Sequence, residues 1–158
     1  MADEIHGKDG GAPLRLMAED ADDLAIISSL AQDAVFPASE MVWQRDVRRF
    51  AILLNRFRWE NRAAAERSGR PYERVQSLLA IRDALQVRSQ GIPQGDADTV
   101  LSLLSVAFEP GEAGVGRIVL TLAGDGAVAV DVECLDVTLM DVTQPYAAPS
   151  GCAPGHPE

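Results

Sequence analysis

The run from Arg117 to Val142 limits what this chain can fold into more than any other stretch. It reads Arg-Ile-Val-Leu-Thr-Leu, reverses through Ala123-Gly124-Asp125-Gly126, and returns with Val128, Val130 and Val132 alternating with Asp131 and Glu133. An apolar/polar period of two marks a half-buried strand, and Gly-Asp-Gly supplies the positive φ that a tight hairpin turn requires. After Cys134 the apolar set moves to Leu135, Val137 and Leu139. A one-residue change of phase predicts a β-bulge near Glu133–Leu135, bending one long strand around a core.

The same period recurs upstream. Met41–Trp43 and Arg49–Trp59 flank a turn at Arg45–Arg48 and predict a hairpin. Tyr72–Ile81 and Ala84–Ser89 predict a second strand pair around Arg82-Asp83, and the stretch after Val100 favours a strand from Leu103. Before them, Leu14–Met17 is a short strand candidate. Asp20 caps a helix in which Leu24, Ile27, Leu30, Ala31, Ala34 and Val35 form an apolar stripe, ended before Pro37. Asn61–Pro71 reads as an arginine-bearing loop or flap with at most one helical turn.

These elements predict one α+β domain over 13–144: an early amphipathic helix, then a mainly antiparallel, strongly curved or barrel-like sheet of seven to eight strands. Residues 1–12 and 145–158, rich in Gly, Pro and acids, are expected to be mobile tails. The 158 residues suit one core, and no apolar run approaches the ~18 residues of a membrane span. The acidic N-terminus lacks the apolar region of a signal peptide, so a cytoplasmic location is expected.

Catalytic chemistry finds little support. The two histidines, His6 and His156, fall in the expected tails, which removes the commonest general base and metal ligand from the domain. Gly111-Glu-Ala-Gly114-Val-Gly116 lacks the lysine and following helix of a phosphate loop. No nucleophile elbow, zinc-protease motif or Cys-x-x-Cys is present, and neither a metal nor a cofactor is expected. Asp131 and Glu133 share a strand face but read as a solvated pair. Cys134 reads as a small core residue, and a disulfide to Cys152 is not expected in a reducing compartment.

Charge is segregated. The net charge is −10, which disfavours general affinity for nucleic acid or a membrane surface, yet residues 45–88 hold eleven arginines and five acids. Within them, Arg56 and Arg58 fall on the strand face opposite Asn55, Phe57 and Trp59, with Arg62, Arg67 and Arg70 following. Arginine forks onto carboxylates and phosphates, so these five residues are the candidate binding site, for an acidic protein segment or an anionic ligand. The competing reading is that they neutralise the acidic segments of the chain itself.

Leu30-Ala-Gln-Asp-Ala34, Leu54-Asn-Arg-Phe-Arg-Trp-Glu60, Phe108-Glu-Pro-Gly-Glu112 and Val132-Glu-Cys134 together resemble a family of short acidic alphaproteobacterial proteins that share a domain of unknown function. The resemblance spans Leu14 to Val142. It implies a bacterial setting, with members often encoded beside histidinol dehydrogenase, and implies no enzyme activity. The sequence therefore predicts a small non-catalytic interaction module, with self-association as a further option. The alternative is an enzyme, or an accessory subunit of a metabolic enzyme, whose site has no linear motif.

Overall fold

A computed structural model of the chain describes residues 13–92, 98–149 and 151–155. The expectations for the 1–12 tail, His6 and His156 lie outside the described residues. The elements in chain order are β1 (Arg15–Ala18), α1 (Ala21–Ala31), β2 (Val35–Pro37), β3 (Met41–Gln44), β4 (Arg49–Phe57), α2 (Arg62–Ser68), β5 (Glu73–Ile81), β6 (Ala84–Gln90), β7 (Val100–Pro110), β8 (Gly116–Leu122), β9 (Ala127–Val132), β10 (Val137–Asp141) and β11 (Tyr146–Ala147). Single 3-10 turns precede β3, β4 and α2.

All eleven strands join one antiparallel sheet, in the order β1-β10-β5-β4-β2-β7-β8-β9-β6. β3 also pairs with β4, and β11 with β5. The expected fold class needs correction on three counts. Among the described residues there are eleven strands and two helices, and the sheet is open, neither closed into a barrel nor strongly curled. β1 and β6 stand at opposite ends of the path without pairing to each other.

The physical source of the discrepancy is the Arg117–Val142 run. β8 and β9 form the predicted hairpin, with Gly124 and Asp125 at positive φ in its turn. The phase change after Val132 is not a bulge in a continuous strand: the ladder stops there. Residues 133–136 cross to the other half of the sheet, where β10 lies between β1 and β5. The β5–β6 connection behaves alike. Arg82-Asp83 turns the chain, but β5 pairs with β4 and β10 while β6 pairs with β9. Cys134, at the crossing, is exposed rather than in the core.

α1 starts as its sequence predicts, with Asp20 Oδ1 accepting from Asp23 N at 2.8 Å. It ends at Ala31, earlier than the Pro37 limit, because the next residues take strand pairings instead. Asp33 N donates to Leu103 O at 2.7 Å and Leu103 N to Ala34 O at 2.8 Å, with Asp33 at φ 65° reversing the chain. Leu24, Ile27 and Ala31 are buried against a single core that draws on both halves of the sheet, including Phe50, Ile52, Leu54, Leu79, Leu120 and Val130.

Candidate functional site

Arg56 extends the core face of β4. Residues 50, 52, 54 and 56 lie on one side, and their partners across β5 and β10 bring Ser77 and Asp141 to the same end of that face. The apolar core stops here and a buried polar network replaces it. Arg56 is fully buried. Its Nε donates to Ser77 Oγ at 2.9 Å, its two terminal nitrogens fork onto Glu60 at 2.9 and 2.8 Å, and Nη2 reaches Asp141 Oδ1 at 3.0 Å. Ser77 Oγ donates to Asp141 Oδ1 at 2.6 Å, and Leu14 N donates to Asp141 Oδ2 at 2.9 Å.

This arrangement offsets the cost of burying a guanidinium, because its donors meet carboxylate or hydroxyl acceptors. Burial alone would push the Glu60 carboxyl above its usual range. The forked hydrogen bonds and charge of Arg56 outweigh that, and the net shift is downward. Arg58, also buried, pairs with Glu73 and lies 3.6 Å from Glu60. Two of the five predicted arginines are thus committed inside the protein.

The other three lie on and just beyond α2, where the sequence predicted a flap. α2 is seven residues long and closes on Gly69, which takes φ 66° and donates to the carbonyls of Ala65 and Glu66. Its buried residue is Ala65; Phe57 is buried as well and meets Trp59 edge-on at 4.7 Å and Tyr72 at 5.5 Å. The signal missed is compositional. An alanine-rich segment with one inward alanine has no long apolar stripe, so periodicity overlooks it. Trp59 Nε1 donates to Gln32 O at 3.0 Å, fastening this corner to the end of α1.

Arg62 donates to Glu66 at 3.2 Å and lies 5.9 Å from the centre of the Trp59 ring. Tyr72 Oη donates to the same Glu66 oxygen at 2.6 Å. The Glu66 carboxyl is held below its usual range by the Tyr72 hydroxyl first and Arg62 second. Arg67 and Arg70 are exposed. The structure therefore does not gather the five arginines into one concavity: Arg56 and Arg58 face inward, and Arg62, Arg67 and Arg70 stand on the surface of one short helix and its exit.

The family model for a protein of unknown function (DUF2948) matches residues 14–156. The chain belongs to that family. No curated protein and no solved structure matches it. In this DUF2948 protein the stretch Leu54–Glu60 supplies three members of the clasp: the buried Arg56 and Arg58, and Glu60 at its edge. Asp131 and Glu133, adjacent on one face by sequence, are separated in their bonding. Asp131 pairs with Arg88 and Arg117, and Glu133 with Arg48. Among the described residues no group of three or more His, Cys, Asp or Glu side chains is placed to hold a metal ion, and no helix is long and apolar enough to cross a membrane.

Proposed function

We propose that the chain is a small non-catalytic binding module of the bacterial cytoplasm, receiving an acidic protein segment or anionic ligand on the arginine-bearing surface of α2. The observation that carries this reading is the exposure of Arg67 and Arg70, beside Arg62 and Trp59, in a chain of net charge −10. Exposed cations on an otherwise anionic protein attract an acidic partner locally, while the remaining surface repels it within about 8–10 Å at physiological salt. Arg56 and Arg58 then serve as the frame from which α2 hangs, not as the contact.

The alphaproteobacterial origin and the neighbouring histidinol dehydrogenase gene, both implied by the resemblance, would make a metabolic enzyme a natural partner. The test is fluorescence anisotropy with a labelled poly-glutamate peptide at low salt. Binding should weaken at least about tenfold in Arg67→Glu/Arg70→Glu, with an unchanged melting temperature. Equal binding by the variant, or none by the natural chain, overturns the assignment.

A further inference from the structure

A concavity of about 340 Å³ lies on the sheet face away from the core, bounded by β1, β10 and the β5–β6 turn. Its floor is Met17, Thr138 and Met140; Arg15 stands at one end, Arg82 and Asp136 at the other, and Glu19 on the rim. It is built from different strands than the α2 surface. Met17 is 58% exposed, a large apolar side chain left to solvent at the centre of a sheet edge.

The ends are chemically specific. Asp136 Oδ1 is buried and accepts no hydrogen bond among the described residues; Arg82 Nη1 lies 3.6 Å away, within ion-pair reach but beyond hydrogen-bonding distance. The Asp136 side chain is nevertheless 28% exposed and lines the concavity, so the part of it away from Oδ1 is open to a donor brought by a ligand. Arg82, 47% exposed, keeps further N–H groups for an incoming acceptor. The pair is held in place by backbone: Arg82 N donates to Asp136 O at 3.0 Å, and Glu133 N to Asp83 O at 2.9 Å.

We infer that this concavity binds a small zwitterion with an apolar body, of the α-amino-acid class. Its ammonium pairs with the exposed side of the Asp136 carboxylate and its carboxylate accepts from Arg82. A carboxylate and a guanidinium held side by side, 3.6 Å apart at their ion-paired atoms, suit the adjacent charged groups of an amino-acid head. The side chain runs along the outward face of β10, over Thr138 and Met17 toward Met140. Asp136 and Met140 are about 13 Å apart at a strand rise of ~3.3 Å, room for an extended aliphatic or aromatic side chain. Two arginines and two carboxylates line the site, so its charge is balanced. That disfavours a bare anion or cation and suits a neutral ligand of paired charges. Methionine thioethers adapt to varied apolar shapes, which predicts broad selectivity for the side chain.

The test uses the full chain, with backbone amide NMR spectra recorded during titration with L-leucine, leucinamide (no carboxylate) and N-acetyl-L-leucine (no ammonium). L-Leucine should shift the amides of Met17, Thr138 and Asp136, and each blocked derivative should bind at least about tenfold more weakly. Asp136→Asn should lose the preference for L-leucine over the N-acetyl form. Should that variant unfold, Thr138→Trp, which fills the concavity from an outward position, must abolish the shifts. Equal binding of all three compounds, shifts confined to α2, or no shifts at all would overturn the inference.

Discussion

Asp141 and Arg56 come from strands that do not pair with each other, yet Asp141 Oδ1 lies 3.0 Å from Arg56 Nη2 with β5 between them. The Asp141 side chain is only 4% exposed and the Arg56 side chain not at all. Removing Arg56 strands the Asp141 charge in a dry site, whereas removing both leaves only Glu60, which is part-exposed and has Arg58 3.6 Å away. Arg56→Met should cost about 3–5 kcal/mol in urea unfolding. The double change Arg56→Met/Asp141→Leu should be less destabilised than Arg56→Met alone, a coupling that a double-mutant cycle measures.

Glu60 gives this clasp its pH dependence. Its folded pKa lies below the unfolded value, so the folded state binds a proton less readily than the unfolded chain. The stabilisation is complete above the usual carboxylate range and is lost as pH falls through the depressed folded pKa. Glu60→Gln should lower stability at neutral pH and flatten the stability profile on the acid side. Chemical denaturation across that range checks both; a variant profile parallel to the natural one would show that Glu60 does not carry the effect.

Much of the β-structure was legible because alternation survives wherever one face is buried. The β8–β9 hairpin, the β3–β4 hairpin and the Asp20 cap follow from patterns a few residues long. What alternation cannot report is the partner. Val137–Asp141 alternates equally well as the end of a bulged strand or as a separate strand beside β1, and only the core shared by both halves selects the second. The same holds for the candidate site. Parity placed Arg56 on the face opposite Asn55 and Phe57, which is right, but that face is the buried one. Its acids, Glu60 and Asp141, lie 4 and 85 residues away, and only the first is local enough to be read from the sequence.

Gly116 shows a constraint unrelated to turn geometry. It has ordinary strand backbone and pairs with Pro110, but a Cβ there would sit 2.6 Å from the Phe108 ring and 2.7 Å from Glu109 O. The ring can swing aside; the carbonyl belongs to the ladder and cannot. Gly116→Ala should destabilise by roughly 1–3 kcal/mol, the usual range for overpacking. Gly69→Ala, at φ 66° with no atom near the new methyl, should cost about 1 kcal/mol from backbone strain alone. Adding Phe108→Leu should recover little of the Gly116→Ala loss if the carbonyl is the obstacle, and most of it if the ring is.

A directional contact ties the corner carrying α2 to α1: the indole of Trp59 donates to Gln32 O at 3.0 Å. The ring also packs on Phe57 and beneath Arg62, so Trp59→Phe keeps aromatic area while deleting the donor. Gln32 O is the last carbonyl of the helix exit and would be left to solvent or unpaired. The expected cost is about 1 kcal/mol, in line with a single neutral hydrogen bond. The loss should be local. Hydrogen exchange should quicken in α2 and at the α1 exit, where Trp59 bridges them, and stay unchanged in β8 and β9 on the other half of the sheet. Uniform acceleration throughout would mean that the corner and the sheet open as one unit, and that α2 is no separate platform.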